Sequence, residues 1–368
     1  MMCRPLFSRP PNTIGVPPLK VLESEKAGLH RRVRILSGVQ ASGRLHVGNY
    51  YGALRQFIQL QNDGEALYFI ANLHALSTVH DAHTLREHTL EAALAYLSLG
   101  LDPNHALLFR QSNIPEITEL FWILGSLVPL TNLERAHSYK DKIARGVPAN
   151  FSLFAYPVLM AADILAFGAD LVPVGKDQIQ HLEFARDWAT RFNMTFIDGY
   201  DPQDPQAKKQ GHAPGILKLP NARVAERAAV VPGTDGRKMS KSAGNTIELF
   251  ASDAEVRRQI MGIRTDSAPL ESPKPINNAL YELLALMAPP GDFAQLDASW
   301  KAGGKGYAEY KKALLDYFHA TFDPARQRRE ELRRDLAEVE RILVDGATRA
   351  RAIATPIMDQ VRRAVGIR

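Results

Sequence analysis

The sequence predicts an α/β fold: a parallel sheet with helices on both faces, followed by a helical region. Two observations carry the sheet. Short apolar runs at residues 33–36, 66–71, 106–109 and 171–174 alternate with segments at 50–61, 85–99, 117–128 and 154–167 that repeat apolar residues every three or four positions. Helix punctuation falls between them, with Gly100 closing one segment and Pro115, Glu116 and Glu119 opening the next. Sheets of this kind bind ligands at the carboxyl ends of their strands. A third observation carries the helical region: beyond Ser252 only helical spacing is seen, at 254–261, 279–287, 307–318, 325–343 and 347–365, and Ser252 with Glu255 has capping-box spacing.

Taken in order, residues 1–32 stand apart. Pro5, Pro10, Pro11, Pro17 and Pro18 oppose a helix, and no acid precedes Glu23. The stretch reads as a disordered leader, either a bacterial-type extension or an over-extended start, with an organellar presequence as the alternative. Residues 33–250 form the sheet domain. Within it, 199–236 is rich in Pro, Gly, Asp, Gln and Lys and reads as a connecting loop with one short strand at 228–231. Residues 251–368 form the helical region, and its last helix is expected to pack back on the sheet domain. From Ala325 onward it holds eleven arginines against seven acids, most of the net charge of +5. That surplus suits a polyanion partner or, equally, a solvated helix face with pairs such as Glu330 and Arg334.

Composition narrows the class. With 368 residues, 45% apolar and 23% charged, the chain has about two domains' worth of globular sequence and is neither fibrous nor disordered. Cys3 is its one cysteine, which excludes an internal disulfide or a cysteine-based zinc site and points to a reducing, cytoplasmic setting. No run approaches the roughly 18 to 20 apolar residues of a membrane span. His80, His83 and His88 do not share one helical face, so no metal site is expected.

Three motifs carry chemistry. The first run passes into Ser37-Gly38-Val39-Gln40-Ala41-Ser42-Gly43-Arg44-Leu45-His46-Val47-Gly48-Asn49, a small polar turn entering a helix. Such a turn can seat a nucleotide, because backbone N–H groups there favour phosphate; it can equally be a tight turn capped by His46. Downstream, Lys238-Met239-Ser240-Lys241-Ser242 lies between glycine-bearing segments, a loop able to bring two ammonium groups onto a triphosphate. Between them, Tyr156, Met160 and Asp163 share one helical face, and Asp163 is a lone carboxylate in an apolar run that needs a partner.

Together these residues resemble the class I aminoacyl-tRNA synthetases. His46-Val47-Gly48-Asn49 is similar to their His-Ile-Gly-His signature and residues 238–242 match their Lys-Met-Ser-Lys-Ser signature. From about Val33 to the end, the chain resembles the bacterial tryptophanyl branch. The resemblance implies a Rossmann-type catalytic domain, an anticodon-binding helical domain, a homodimer, and attachment of L-tryptophan to tRNA(Trp) through an adenylate, with ATP and Mg²⁺. It implies catalytic roles for Lys238, Lys241 and Lys140. ATP would meet Gln40, Ala41, Ser42, His46, Gly48, Asn49, Gly175, Lys176, Asp177 and the 238–242 loop, with Asp177 on the ribose. Tryptophan would meet Asp163 through its indole N–H, and Tyr156, Met160, Gln40, His74, Gln178 and Val174.

The chain departs from the family pattern at Leu36, Ala41 and Asn72, where phenylalanine, proline and aspartate are common. The related tyrosyl enzymes carry glutamine where Met160 stands, and an apolar Met suits an indole better than a phenol. Other readings are tyrosine as substrate, an idle RNA-binding paralogue, and a simpler nucleotidyltransferase, which leaves the helical region without a purpose.

Overall fold

The computed structural model describes residues 32–41, 43–136, 139–140, 150–175, 178–224 and 230–368. The expected leader falls outside them except for Arg32. Five strands form one sheet: β1 (Arg34–Gln40), β2 (Glu65–Ala71), β3 (Ala106–Arg110), β4 (Leu171–Val174) and β5 (Asn221–Val224). All neighbours run parallel, in the order β3-β2-β1-β4-β5. The strand order therefore reverses between β1 and β4, and a crevice opens where their carboxyl ends diverge.

The helices that cover the sheet are α1 (Ala82–Ser98), α2 (Pro115–Gly125), α3 (Phe151–Leu165) and α4 (Ile179–Phe196). Period-two alternation in β2 divides the core. Tyr68 and Ile70 face one cluster with Leu94 and Tyr96 of α1, while Leu67 and Phe69 face the other with Leu120, Leu165 and Trp188. Both faces are buried, so the strands read as near-continuous apolar runs.

Beyond them lie α5 (Asp253–Met261), α6 (Ala279–Met287), α7 (Pro290–Ala302), α8 (Tyr307–Arg334) and α9 (Leu336–Ala364). Helix α8 packs on α1 and α9 lies along β3 and α2. Much of the arginine surplus is spent on these contacts. Arg333 reaches Glu91 at 2.6 Å, Arg351 reaches Glu116 at 2.9 Å, and Arg329 and Arg362 bind Glu91 and Glu119.

Several sequence expectations are corrected. The 199–236 stretch contributes β5, an edge strand whose Asn-Ala-Arg-Val sequence has no apolar run to announce it. The strand expected at 228–231 lies partly outside the described residues, and Val230 and Val231 are not in a strand. Helix α7 was not expected. The helix break expected between residues 343 and 347 falls instead at Asp335, whose carboxylate accepts the Glu338 N–H at 3.1 Å and starts α9.

Gly346 looks like a breaker but sits inside α9 because of close packing: a Cβ there would stand 2.1 Å from the Leu108 carbonyl oxygen of β3. Helix propensity alone would make Gly346→Ala stabilising by about 1 kcal/mol. The contact reverses the sign, and we expect a loss of about 1 to 3 kcal/mol, read as a Tm several degrees lower by circular dichroism. A Tm at or above wild type would contradict this packing.

Candidate active site

The crevice is floored by the turn after β1 and walled by the lysine loop. Val47 N–H donates to the Ile247 carbonyl at 2.9 Å and Leu249 N–H to Leu45 at 3.0 Å, so the first motif is stitched to the segment that follows the second. His46 N–H donates to Asn49 Oδ1 at 3.0 Å, which closes the helix start. Gly48 N–H points at Met239 Sδ, 3.3 Å away. The His46 side chain is buried, and its Nδ1 has no hydrogen-bond partner among the described residues. Burial, helped by the Lys241 charge, pushes its pKa down to about 4, so the ring is neutral at pH 7.

The loop is a hairpin-like turn: Pro232 bridges Lys238, Gly233 N–H donates to the Arg237 carbonyl at 2.7 Å and Met239 N–H to the Val231 carbonyl at 2.9 Å. Met239 is buried, whereas Lys238, Lys241 and Ser242 are exposed and Ser240 is half-buried. Asp235 turns inward onto Asn245 and Arg237, which hold its carboxyl down at about 2. A cavity of about 620 Å³ opens beside the loop, lined in part by Gly43, Arg44, Thr234, Lys241, Glu248 and Arg258. Partial desolvation lowers the Lys241 pKa and the Glu248 carboxylate opposes that shift.

A second cluster centres on Asp163 of α3, which is 1% exposed. Its Oδ1 accepts from Gln111 Nε2 at 2.7 Å and its Oδ2 lies 2.9 Å from His74 Nε2. Burial raises its pKa, and these two partners pull the other way. Gln111 is fully buried; its Oε1 accepts the Leu73 N–H at 3.0 Å, so it ties the end of β2 to the carboxylate. The Asn72 side chain bonds Ser112 through both its oxygen and its nitrogen and clamps the same two strand ends. Tyr156 Oη and His181 Nε2 are 2.7 Å apart, joining α3 to α4, and burial raises the tyrosine's pKa. His74 stands edge-on to Tyr156, and Met160 is half-buried on the same helix. A carboxylate can accept about four hydrogen bonds, so two protein donors leave Asp163 capacity for a ligand N–H.

The chain matches the family described as tRNA synthetases class I (W and Y) over residues 28–322. It is 48% identical to the tryptophan–tRNA ligase of Rhodopirellula baltica over 337 residues, covering 91% of this chain and 100% of that one. With the tryptophan–tRNA ligase of Fusobacterium nucleatum the identity is 45% over 91% of this chain and 98% of the relative. The crystal structure of tryptophanyl-tRNA synthetase from Campylobacter jejuni complexed with ADP and tryptophan superposes with a TM-score of 0.82 at 43% identity, covering 91% and 100% of the two chains. This chain belongs to the class I tRNA synthetases of the tryptophan and tyrosine group.

As a class I synthetase the chain has the parallel Rossmann-type sheet that its sequence predicts, and the candidate residues sort by place on it. His46, Gly48, Asn49 and Met239 meet where the turn after β1 touches the lysine loop, and His74, Tyr156 and Asp163 meet between the end of β2 and α3. Ala41 is buried at the end of β1, and Gln40 is the last residue of that strand. Val174 ends β4, half-buried against the second core cluster; Gly175 follows it, and its carbonyl accepts the Gln178 N–H at 3.0 Å where α4 begins. Lys140 is exposed and helical, its N–H donating to the Ala136 carbonyl at 3.2 Å, and no described side-chain contact ties it to the lysine loop. Ser42, Lys176 and Asp177 lie outside the described residues. The sequence reading missed Gln111, His181 and Asn245. Gln111 had one signal, its place directly after the third apolar run, where strand ends line the crevice.

Proposed function

We propose that this synthetase attaches L-tryptophan to tRNA(Trp) in two steps. The tryptophan carboxylate attacks the α-phosphate of ATP, a phosphorus–oxygen bond forms as the bond to pyrophosphate breaks, and the adenylate then passes its acyl group to the terminal ribose of the tRNA. AMP leaves in the second step. Asp163 carries the tryptophan reading: a buried carboxylate with spare acceptor capacity accepts an indole N–H, while Met160 beside it offers a phenol hydroxyl nothing strong.

Phosphoryl transfer needs alignment and cations more than covalent help. His46 and the helix start at Gly48 and Asn49 seat the nucleotide; the buried His46 Nδ1, which has no hydrogen-bond partner among the described residues, fits a ligand polar group there. Asp177 holds the ribose, with Gly175 and Lys176 beside it in sequence, and Lys238, Lys241 and Lys140 meet the phosphates. Mg²⁺ arrives with ATP as part of that substrate and neutralises phosphate charge. Residues 251–368 read the anticodon, although the ion pairs to Glu91, Glu116 and Glu119 leave fewer of their arginines for RNA.

The active unit is a cytoplasmic homodimer. The exposed Trp122, Leu130 and Phe151, large apolar side chains at the surface, support pairing, and light scattering should return twice 40.8 kDa; a monomer at assay concentration would refute it. No helix among the described residues is long and apolar enough to cross a membrane.

The deciding experiment is amino-acid-dependent ATP–pyrophosphate exchange with tryptophan, tyrosine and phenylalanine offered separately. Exchange with tryptophan alone supports the proposal. Exchange with tyrosine overturns the specificity, and silence with all three in folded protein favours an idle RNA-binding paralogue.

A further inference from the structure

Asn245 holds no role in the scheme above, yet it is the buried centre of the lysine loop, 2% exposed. Its Oδ1 accepts the Ser240 N–H at 2.9 Å. Its Nδ2 donates to the Lys238 carbonyl at 3.2 Å and to Asp235 Oδ1 at 2.6 Å, and its own carbonyl accepts the Thr234 N–H at 2.9 Å. One amide side chain therefore fixes both peptide units that flank Met239: the carbonyl on one side and the N–H on the other. Such a bridge needs a donor and an acceptor on one planar group, which asparagine supplies and aspartate does not. The approach is close enough that a Cβ at residue 233 would stand 2.3 Å from Asn245 Nδ2, so glycine at that place is part of the same device.

The consequence runs outward along the backbone. With its two flanking peptides held, Met239 turns its side chain into the core and brings Sδ to the Gly48 N–H at the nucleotide turn. Lys238 and Lys241 leave the same fixed segment exposed to solvent, and Lys241 lines the cavity beside the loop. We infer that Asn245 is a positioning residue for the activation step, setting the directions in which Lys238 and Lys241 present their ammonium groups. It acts through them and touches no substrate. The inference rests on the proposal that those lysines meet the triphosphate.

Rapid-quench measurement of tryptophanyl-adenylate formation, paired with equilibrium tryptophan binding, tests it on the full chain. The variants are Asn245→Ala, Asn245→Asp, Asn245→Asp combined with Asp235→Asn, and Lys241→Ala. We expect Asn245→Ala to slow the burst by about 10²-fold and leave the tryptophan Kd within about twofold, since misplaced cations cost transition-state stabilisation and the indole pocket lies elsewhere. Asn245→Asp sets a second carboxylate against Asp235 and should be at least as slow. Adding Asp235→Asn relieves the repulsion between the two carboxylates but leaves the Lys238 carbonyl without its donor, so the burst should stay at least tenfold below wild type.

A burst within threefold of wild type in Asn245→Ala, with Lys241→Ala slow, overturns the inference and leaves the role of the lysines standing. Wild-type bursts in both variants remove the lysines' role and the inference with it. Loss of tryptophan binding in step with the burst assigns Asn245 to stability alone, and a burst within threefold of wild type in the double variant overturns the inference, because the bridge to the Lys238 carbonyl would then be dispensable. Should Asn245→Ala fail to fold, the double variant decides by the same criterion, with tryptophan Kd as the control for folding.

Discussion

Replacing Lys241 with alanine should slow tryptophan activation by about 10²-fold or more and leave the thermal transition nearly unmoved. The two halves of this expectation have separate causes. Lys241 is exposed, and the loop that carries it is held by Asn245, Met239 and the backbone bonds at Gly233 and Met239, none of which uses the lysine side chain. Folding therefore loses little. Under the proposed assignment, catalysis loses a cation at the point where charge builds on the departing pyrophosphate, and removing one preorganised electrostatic partner typically costs 10² to 10³ in rate. Partial desolvation already lowers the pKa of this ammonium, the environment in which a charge contact with phosphate is worth more than in water. The tryptophan KM should move little. A burst of adenylate at the wild-type rate would remove Lys241 from the mechanism; a large drop in Tm would make any rate loss uninterpretable as catalysis.

How far the sequence reaches is clearest strand by strand. Parallel strands buried on both faces leave uninterrupted apolar runs, which is why β1 to β4 are legible, and β5, whose Asn221 and Ala222 are exposed, is not. The break before α9 depends on one capping carboxylate, Asp335, while the more conspicuous Gly346 answers to a neighbouring strand and not to its own helix.

The site divides in the same way. Asp163 is visible as a lone carboxylate on an apolar helix, but the donors that hold it come from Gln111 and His74, 52 and 89 residues away in sequence. No local periodicity encodes that meeting. Family resemblance supplied His74 and passed over Gln111, and Asn245 was quoted only as a neighbour of the lysine motif. The arginines of the last two helices show the reverse failure: their clustering is legible, yet a net charge does not say whether the partner is an RNA or the chain's own Glu91, Glu116 and Glu119.

The second large effect is expected at Asp163. Asp163→Asn keeps the shape and removes the charge, and one of its two oxygens becomes an N–H₂ donor facing Gln111 Nε2 or His74 Nε2. Turned toward Gln111 the new donor faces a donor, and turned toward His74 it is accepted only when the imidazole carries its proton on Nδ1. The carboxamide can still offer one oxygen, so its orientation decides between satisfying the protein and satisfying an indole N–H. Tryptophan activation should fall by about 10² to 10³ in kcat/KM, since a site built around a buried hydrogen bond loses most when that bond is mispaired.

The more telling change is in discrimination. Wild type should reject a tryptophan analogue with sulfur in place of the indole N–H by roughly 10⁴, the range open to sites whose buried polar group would be left unpaired. In Asp163→Asn that ratio should collapse by about the factor lost for tryptophan, because the analogue never used the contact. Exchange assays with the two amino acids measure both numbers in one experiment. An unchanged ratio, with activity lower for both substrates alike, would mean that Asp163 only holds His74 and Gln111 in place and that the indole N–H is read elsewhere.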